Sequence, residues 1–398
     1  MHHELSRQLL HILAQPRTII PDMQFNPGKA AIWIDTQEAL NDALPALAAG
    51  PYLAVDTESN SLYAYHEQVC LIQFSTQDED FLIDGMAGLD LSGLGAIFAD
   101  ERIQKIFHAA EYDVICLRRD YNFQFTNLFD TMQAARILGF EQLGLAALLE
   151  GQFRLEPVKS FQKANWGKRP LSAEMMQYAR VDTHYLIALR ERMAAQLQKN
   201  DLIALAEEDF RRVCSAENNH NDLASYTQVR GYHKLDARSL TVLDALCKYR
   251  DQKASQLNRP HFKVIGSRTL LEIAEKKPET AAELARMDGF SPRQADRYAK
   301  GLLAAVKAGQ KAAPIVPEKH DRPSNAYIKR IDDLKQWRKE KGSGMGVQSD
   351  IVLPRDILEA IAAKQPRSLD ALKEVMADVP WRIAHFGQEI MDVIHKGN

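Results

Sequence analysis

Residues 54–62 read AVDTESNSL and place two carboxylates, Asp56 and Glu58, two positions apart at the end of an apolar run. Successive side chains of a β-strand point to opposite faces, so positions 56 and 58 project from the same face. The segment alone leaves two interpretations open: a strand end with two solvated acids, or a pair of metal ligands. The sequence around it must decide between them.

Short strand-like and helix-like runs alternate on both sides of this segment. Residues 69–84, VCLIQFSTQDEDFLID, indicate a hairpin, since two apolar runs are joined by a polar turn. The other strand-like runs are 30–35, 51–58 and 105–109, and helical periodicity covers 35–50, 91–103 and 110–121. Strands mixed with crossover helices predict an α/β layer structure with a mixed sheet. From about residue 170 onward the pattern is almost entirely helical.

The C-terminal half repeats itself at an offset of 88 residues. The aligned residues are Tyr249-Arg250 with Trp337-Arg338, Val264 with Val352, Leu270 with Leu358, Ile273-Ala274 with Ile361-Ala362, Pro278 with Pro366 and Leu284 with Leu372. Three prolines and mixed charges in 311–324 are typical of a linker. The predicted organisation is an N-terminal extension (1–27), an α/β domain (28–212), and two small helical-bundle domains (225–308 and 325–398) joined by a linker (309–324).

Charge is distributed unevenly along the 398 residues, although the net charge is only -3. Residues 1–224 carry 19 Lys and Arg against 31 Asp and Glu, whereas residues 225–311 carry 17 against 9. An acidic half followed by a basic segment suggests that one part binds cations and another contacts a polyanion. The alternative for the basic segment is a set of solvated helix faces.

Composition favours a globular protein, with 45% hydrophobic and 26% charged residues. No apolar run approaches the roughly 18 residues that cross a bilayer, so we expect neither a signal peptide nor a membrane partner. The four cysteines are widely scattered and form no C-x-x-C pair. A reducing cytoplasm is therefore the expected compartment.

Further carboxylates follow the first pair at the ends of other elements. Asp113 lies one turn into a predicted helix, and Tyr178 and Asp182 are spaced i, i+4, which places them on one helix face. Four carboxylates in one pocket resist ionisation unless cations neutralise them. Hard divalent ions with oxygen ligands do so, and a pair of such ions suits in-line phosphoryl displacement. The matching reaction class is phosphodiester cleavage.

This ordered set resembles the exonuclease motifs of the DEDD superfamily, in its tyrosine-containing branch. The segments QVCLIQFST (68–76), FHAAEYDV (107–114), LFDTMQAAR (128–136) and 159–182 are similar to ribonuclease D, and the two repeats resemble the HRDC-like helical domains shared by ribonuclease D and RecQ-type helicases. The resemblance covers the chain from about residue 28. It implies a ribonuclease H-like exonuclease domain followed by two helical bundles. The other branch of the superfamily has a histidine where this chain has Gln177.

The resemblance also implies a role for each residue of the set. Asp56, Glu58 and Asp182 would hold the metal that activates water, Asp56 and Asp113 would serve a second metal, and Tyr178 would orient the attacking water. The implied cofactors are two divalent ions, Mg²⁺ or Mn²⁺. The implied substrate is RNA with a single-stranded 3′ end, above all precursor tRNA, cut into nucleoside 5′-monophosphates, and no obligate protein partner is expected.

Several neighbours are candidates for substrate binding. Asn60 and Leu62 would contact the terminal nucleotide, as the resemblance suggests, and His108 either contacts RNA or supports local structure. Residues 159–170, KSFQKANWGKRP, offer Lys159 and Arg169 to grip phosphates and Trp166 to stack on bases, unless the ring packs inward.

Two further polar residues near the set have no assigned catalytic role. Gln73 lies within an apolar run and either orients a group near the site or is structural, and Asp130 is predicted to cap a helix.

Two rival functions use the same sequence features. A DNA-directed proofreading-type exonuclease would have the same metal site, and matched RNA and DNA oligonucleotides would separate it from an exoribonuclease. A non-catalytic RNA-binding adaptor would be expected to lack one of the carboxylates, and all four are present.

Overall fold

A single six-stranded mixed sheet forms the centre of the N-terminal domain. The computed structural model describes residues 30–155, 161–217, 225–316 and 323–395. The strands are β1 (Ile32–Ile34), β2 (Tyr52–Ser59), β3 (Val69–Ser75), β4 (Asp80–Asp84), β5 (Gln104–Phe107) and β6 (Leu128–Asp130), in the order β1-β4-β3-β2-β5-β6. Strands β4, β3 and β2 pair antiparallel, whereas β1 with β4, β2 with β5, and β5 with β6 are parallel. The predicted mixed sheet and the hairpin at 69–84 are confirmed.

Eight helices accompany this sheet among the described residues. They are α1 (Gln37–Ala49), α2 (Ser92–Ala99), α3 (Glu111–Tyr121), α4 (Thr131–Ile137), α5 (Leu145–Phe153), α6 (Ala173–His184), α7 (Leu186–Lys199) and α8 (Ile203–Cys214). Helix α1 begins where the Thr36 side chain accepts a hydrogen bond from the Ala39 amide, which is the usual N-cap arrangement. Its C-cap is Gly50, two residues before β2 begins at Tyr52.

The two faces of the sheet pack against different sets of residues. The main apolar core includes Leu53, Val55 and Ile72, which alternate along the strands with the residues that face the site. The opposite face is covered by α6 and a smaller cluster that includes Leu71, Leu82 and Trp166. Asp56 follows the core residue Val55 and therefore points to this second face, and Glu58, two positions further along the strand, shares it.

Two helical domains follow, and their helices repeat at the predicted offset. The first contains α9 (Ala237–Gln256), α10 (His261–Val264), α11 (Ser267–Lys276), α12 (Ala281–Leu284) and α13 (Pro292–Lys311), after 3₁₀ turns at Tyr226–Gln228 and Tyr232–Lys234. The second contains α14 (Asn325–Met345), α15 (Ser349–Val352), α16 (Arg355–Lys364), α17 (Leu369–Val375) and α18 (Pro380–His395). None of the helices described is long and apolar enough to cross a bilayer.

The backbone turns of the two domains repeat at the same offset. Asn258 and Gly346 both have positive φ angles, of 44° and 68°, and Lys277 and Gln365 have φ angles of 51° and 49°. Each domain has its own apolar core. Helix α13 continues to Lys311, into the first residues of the segment predicted as a linker.

The second helical domain packs against α8 through a buried ion pair. Arg382 and Glu208 are both fully buried, and the Arg382 Nη1 lies 2.5 Å from the Glu208 Oε1. Asp209 lies 2.9 Å from the same guanidinium, and the carbonyl of Ile351 accepts two further bonds from it. This contact fixes α8 against α18.

The first helical domain contacts the loop that follows β2. We call residues 60–68 the junction loop. The Tyr65 hydroxyl donates to Asp251 (2.6 Å), and the Tyr65 amide donates to the Asn258 side chain (3.0 Å). The Lys263 ammonium lies 3.9 Å from the centroid of the Tyr63 ring. The loop that leaves the acidic strand is therefore tied to the basic domain.

Candidate active site

Strand β2 carries the first two acids at the end of its pairing with β3. Asp56 lies opposite Gln73 and Glu58 lies opposite Leu71, and the register then shifts between Glu58 and Ser59. Such a bulge bends a strand and ends its pairing, and bulges are frequent beside active sites. The two carboxylates therefore project from the last regular residues of β2, and the junction loop leaves directly after them.

Helix α6 carries two more of the predicted residues, Tyr178 and Asp182, above the same face of the sheet. Ser172 caps the helix by accepting a hydrogen bond from the Met175 amide, and Glu174 lies in the first turn, where an acid suits the helix dipole. Tyr178 and Asp182 are one turn apart on this helix, close enough for the Tyr178 hydroxyl to influence the pKa of the Asp182 carboxylate. The helix therefore presents a phenol and a carboxylate to the acids of β2.

Carboxylate oxygens of Asp56, Glu58 and Asp182 all lie within 4.8 Å of one another. Asp113, in the first turn of α3, lies beside this group but not within it. Its Oδ1 accepts a short hydrogen bond from the Thr57 hydroxyl, and its side chain is buried. The structure thus brings the four predicted acids and the tyrosine to one end of β2.

The pKa values of these acids reflect their burial and the short distances between their carboxylates. Burial raises the pKa of Glu58 to about 10, with further contributions from the charges of Asp56, Asp182 and Asp113. Burial also raises the pKa of Asp182 to about 7. The pKa values of Asp56 and Asp113 are likewise raised by burial, and each is raised further by a neighbouring carboxylate. The ionised cluster is therefore unfavourable without a counter-charge.

The donor set fits a divalent cation. Three carboxylate oxygens within 4.8 Å of one another provide hard ligands of the kind that Mg²⁺ and Mn²⁺ prefer. A cation bound there would remove the mutual repulsion that raises the pKa values of these acids. The cluster is thus a candidate metal centre, and Asp113 lies close enough to Asp56 for their charges to interact.

Asp130 positions the helix that carries Asp113. Its carboxylate accepts hydrogen bonds from the amides of Ala109 and Ala110, before α3, and from those of Met132 and Gln133, in α4. Ala109 has a φ of 63°, a left-handed conformation that is costly for a residue with a Cβ atom. The predicted capping role of Asp130 is confirmed, and it extends to a second helix.

His108 is the residue just before this strained turn. Its Nδ1 lies 3.0 Å from the Thr131 hydroxyl, which itself donates to the Phe107 carbonyl. Burial lowers the pKa of His108 to about 4, so the ring is neutral near pH 7. This environment agrees with local support, the second of the two roles that the sequence left open.

Helix α6 is fastened to the sheet by a residue that sequence reasoning missed. Asp80 on β4 is buried and accepts hydrogen bonds from Arg180 Nε (2.5 Å) and from the Ser75 hydroxyl (2.6 Å), and it lies 2.9 Å from His184 Nδ1. Burial acts to raise the pKa of Asp80, but these hydrogen bonds hold it below its usual range. The sequence did contain a weak signal of this role, because Asp80, Leu82 and Asp84 are spaced two positions apart and so project from one face of β4.

Glu67 is a second residue that the sequence did not indicate. Its carboxylate accepts hydrogen bonds from Ser59 (2.8 Å), from Arg119 (2.8 Å) and, at short range, from the Tyr112 hydroxyl. Ser59 follows Glu58 and Tyr112 precedes Asp113, so Glu67 links the two elements that carry these acids. No spacing pattern in the sequence could have revealed this contact.

Of the two roles that the sequence left open for Trp166, the structure agrees with inward packing and not with base stacking. The ring is 1% exposed, and its centroid lies 6.1 Å from that of Tyr178, so it packs behind the site instead. Arg169 is also directed inward, since its guanidinium pairs with Asp84 and donates to the carbonyls of Cys70 and Trp166. All three guanidinium nitrogens of Arg169 donate hydrogen bonds within this domain, so the residue supports the sheet.

The remaining substrate-binding candidates lie in different settings. Asn60 is buried, and its side-chain oxygen accepts from the Gln68 amide, which closes the base of the junction loop. Leu62 is 37% exposed on the same loop. Lys159 lies outside the described residues.

Comparisons with known proteins agree with this arrangement. A family model for a 3′-5′ exonuclease domain matches residues 31–198, and a model for the HRDC domain matches residues 239–306 and 328–394. Ribonuclease D of Desulfotalea psychrophila is 31% identical over 328 residues, which cover 81% of this chain and 84% of that protein. The crystal structure of Escherichia coli RNase D has a TM-score of 0.68 at 21% identity, covering 92% of this chain and 99% of that one, and shows the shared fold.

Longer proteins also match. Protein RRP6-like 1 of Arabidopsis thaliana is 31% identical over 333 residues, which cover 78% of this chain and 52% of the plant protein. The chain spans about half or less of the length of the RRP6-like and exosome relatives that it matches. Over most of its own length, however, it aligns with ribonuclease D. The chain therefore belongs to the ribonuclease D family, with a 3′-5′ exonuclease domain followed by two HRDC domains.

Proposed function

We propose that the chain is a metal-dependent 3′ to 5′ exoribonuclease that hydrolyses phosphodiester bonds at single-stranded 3′ ends and releases nucleoside 5′-monophosphates. One observation carries the proposal: the convergence of carboxylate oxygens of Asp56, Glu58 and Asp182 within 4.8 Å of one another, near enough to Tyr178 for their charges to act on its hydroxyl. Family membership supports RNA as the substrate class. An RNA-binding adaptor would have no need for four clustered acids, each with a raised pKa.

The acids are proposed to hold two divalent ions, Mg²⁺ or Mn²⁺. Asp56, Glu58 and Asp182 would bind one, and Asp56 with Asp113 would bind the other. Bound there, such ions would stabilise charge on the attacking and leaving oxygens of a phosphoryl displacement. The protein contributes a rigid frame, because β2, α3 and α6 hold these four side chains in place before substrate binds.

Tyr178 is proposed to orient the attacking water. Burial raises the pKa of its hydroxyl above the ordinary value, and the neighbouring carboxylates raise it further. The hydroxyl is therefore neutral near pH 7 and acts as a hydrogen-bond donor and acceptor, not as a base. Contacts of its ring with Phe161 and Trp166 fix its direction.

The RNA strand is proposed to leave the site across the junction loop and onto the first HRDC domain. Leu62 on the loop and Phe262 on the domain are exposed, at 37% and 56%. Arg259 and Lys263 are exposed beside Phe262. Apolar and aromatic surfaces with nearby cations suit the bases and phosphates of a single strand. The first HRDC domain would thus present substrate to the acidic domain.

The cellular role that fits best is 3′ trimming of precursor tRNA in the cytoplasm. It is supported by the resemblance to ribonuclease D and by the basic character of the first HRDC domain. The proposed units remain a catalytic domain over about 28–212, HRDC domains over 225–308 and 325–398, and a linker between them.

The decisive experiment uses purified full-length protein with a 3′-extended tRNA and a matched single-stranded DNA, in Mg²⁺, in Mn²⁺ and in chelator. We expect stepwise shortening of the RNA from its 3′ end only with metal. Asp56→Asn should abolish cleavage while leaving folding and RNA binding intact. Asp42→Asn, at an exposed acid on α1, is the matched control and should cut normally.

The other outcomes identify the rivals. Equal cutting of DNA and RNA would favour a DNA-directed exonuclease of the proofreading type. No cutting of either substrate, with RNA binding retained, would favour an adaptor. Unfolding of Asp56→Asn would show that Asp56 is structural.

A further inference from the structure

Gln73 occupies a position on β3 that no proposed step yet uses. It lies directly opposite Asp56 in the antiparallel β2–β3 pair and beside Leu82 of β4. Residues directly opposite each other in such a pair project from the same face of the sheet. The Gln73 side chain therefore shares the face of the carboxylate cluster, and it is completely buried.

Neither amide atom of Gln73 has a hydrogen-bond partner within the described residues. Ser75, two residues further along β3 on the same face, is already partnered, since its hydroxyl donates to Asp80. The other neighbours are apolar, with Leu71 and Leu82 both buried. A buried amide without a hydrogen-bond partner destabilises a fold. We therefore expect Gln73 to gain a partner when a ligand binds or when a neighbouring side chain in the site turns toward it.

The Asp56 carboxylate is within reach of this amide. Opposite residues in an antiparallel pair have Cβ atoms roughly 4.5–5.5 Å apart, and the amide nitrogen of a glutamine lies three bonds beyond its Cβ, which is far enough to span that distance. Asp56 is also the acid assigned to both metal positions in the proposed function. Its orientation therefore matters more than that of any other acid in the cluster.

We propose that Gln73 is a positioning residue of the metal site, whose side-chain N–H donates to Asp56 and fixes which carboxylate oxygens face the cations. This inference rests on the proposed function, because it assumes that Asp56 binds a divalent cation. Partners of this kind orient ligating groups and commonly change metal affinity by about 10- to 100-fold when removed. When the Asp56 carboxylate turns toward a bound cation, it would accept a hydrogen bond from the Gln73 amide.

The test compares Gln73→Met with the wild-type protein. Methionine matches the length and volume of glutamine but cannot donate a hydrogen bond. Leu82→Met is the matched control, because it alters packing on the same face without touching an amide. Thermal unfolding is measured in chelator and during titration with Mn²⁺ or Mg²⁺, and kcat and KM are measured on a single-stranded oligoribonucleotide.

We expect Gln73→Met to unfold at the same temperature as the wild type, or higher, in chelator, because it loses an unpartnered buried amide. The midpoint of its metal titration should rise about 10-fold or more. Its kcat should fall at the wild-type metal concentration and recover partly at higher metal, with little change in KM. Leu82→Met should keep the wild-type metal midpoint.

Two results would overturn the inference. A Gln73→Met variant that unfolds at lower temperature in chelator, with its metal midpoint within about twofold of wild type, would make Gln73 a packing residue. A wild-type protein whose unfolding temperature does not respond to either metal would refute the metal centre itself, and with it the proposed function. Because the first result leaves the metal response of the wild type intact, the two failures are distinguishable.

Discussion

Asp182 illustrates, at the scale of one residue, how burial controls the charge of the site. Its pKa is raised to about 7 in the folded protein, whereas an unfolded chain has the ordinary aspartate value of about 3.9. Between these two values the folded state binds more protons than the unfolded state. Ionising Asp182 therefore costs stability, and the cost grows as pH rises from about 4 to about 7.

We predict that Asp182→Asn stabilises the protein against urea in chelator, and that the gain is larger at pH 8 than at pH 5. The difference should be about 1–3 kcal/mol, since one pKa unit corresponds to about 1.4 kcal/mol and the site is partly open to solvent. Urea unfolding at both pH values measures it. An equal effect at pH 5 and pH 8 would show that charge is not the cause.

Tyr178 gives a second prediction at this scale. Tyr178→Phe should lower single-turnover cleavage about 10- to 100-fold, because the attacking water loses a partner that orients it. Metal affinity, followed by the shift in unfolding temperature, should change little, since the phenol is not a proposed ligand. Tyr327→Phe, in the second HRDC domain, is the control. A normal rate for Tyr178→Phe would remove the hydroxyl from the mechanism.

At the scale of elements, the site depends on how α3 is attached to the sheet. Asp130 accepts four backbone N–H groups, two before α3 and two in α4, and so holds the start of both helices. Ala109, between β5 and α3, keeps its left-handed conformation within this arrangement. The position of Asp113 thus depends on Asp130, a residue that has no part in the proposed mechanism.

We predict that Asp130→Ala destabilises the protein by about 2–4 kcal/mol, because it leaves several buried N–H groups without an acceptor. Asp90→Ala, which removes a single exposed acceptor of the Ser92 amide, should cost less than about 1 kcal/mol. Urea unfolding compares the two. Similar losses for both variants would mean that Asp130 is an ordinary cap.

Sequence periodicity predicted these elements well, because strands and helices have different hydrophobic periods. The spacing of Tyr178 and Asp182 also predicted a shared helix face correctly. The bulge after Glu58 and the hydrogen bonds of Glu67 escaped prediction, since both arise only when distant segments meet. Trp166 was ambiguous for the same reason: an aromatic ring between cations can face RNA or the core, and packing behind Tyr178 decides the matter.

At the scale of the whole molecule, the two HRDC domains differ in how they meet the exonuclease domain. The second is joined to the exonuclease domain by the fully buried Arg382–Glu208 pair and, nearer the surface, by the Arg136–Asp350 and Arg212–Asp356 pairs. The first is basic and meets the junction loop through Tyr65 and Asp251. The two HRDC domains therefore differ both in charge, as the sequence shows, and in the way they contact the exonuclease domain.

We predict that Arg382→Ala destabilises the protein by about 3–5 kcal/mol, because Glu208 would remain buried without its counter-charge. Glu208→Gln together with Arg382→Met should recover much of the loss. Lys335→Ala, which breaks a solvent-exposed pair with Asp332, should change stability by less than about 1 kcal/mol. Urea unfolding of the four proteins tests this, and an effect no larger than that of Lys335→Ala would contradict the buried-pair argument.

The proposed RNA path gives a prediction at the same scale. Phe262→Ala combined with Lys263→Ala should raise KM for a long single-stranded RNA about 10-fold, since stacking one base on an aromatic ring contributes roughly 1–3 kcal/mol. The kcat, and cleavage of a dinucleotide too short to reach the HRDC domain, should be unaffected. Leu369→Ala, at an exposed residue of the second HRDC domain, is the control. Equal loss on long and short substrates would place the defect elsewhere.

The junction loop has a thermodynamic consequence for this enzyme. It begins directly after the bulge that follows Glu58, ends at the start of β3, and is tied to the first HRDC domain by Tyr65. The loop therefore connects that domain directly to both strands that carry Asp56 and Gln73. If RNA on the domain favours the loop conformation that suits the cations, linkage requires the cations to favour RNA binding by the same factor. The position of the first HRDC domain relative to the exonuclease domain would then influence how tightly the site binds metal.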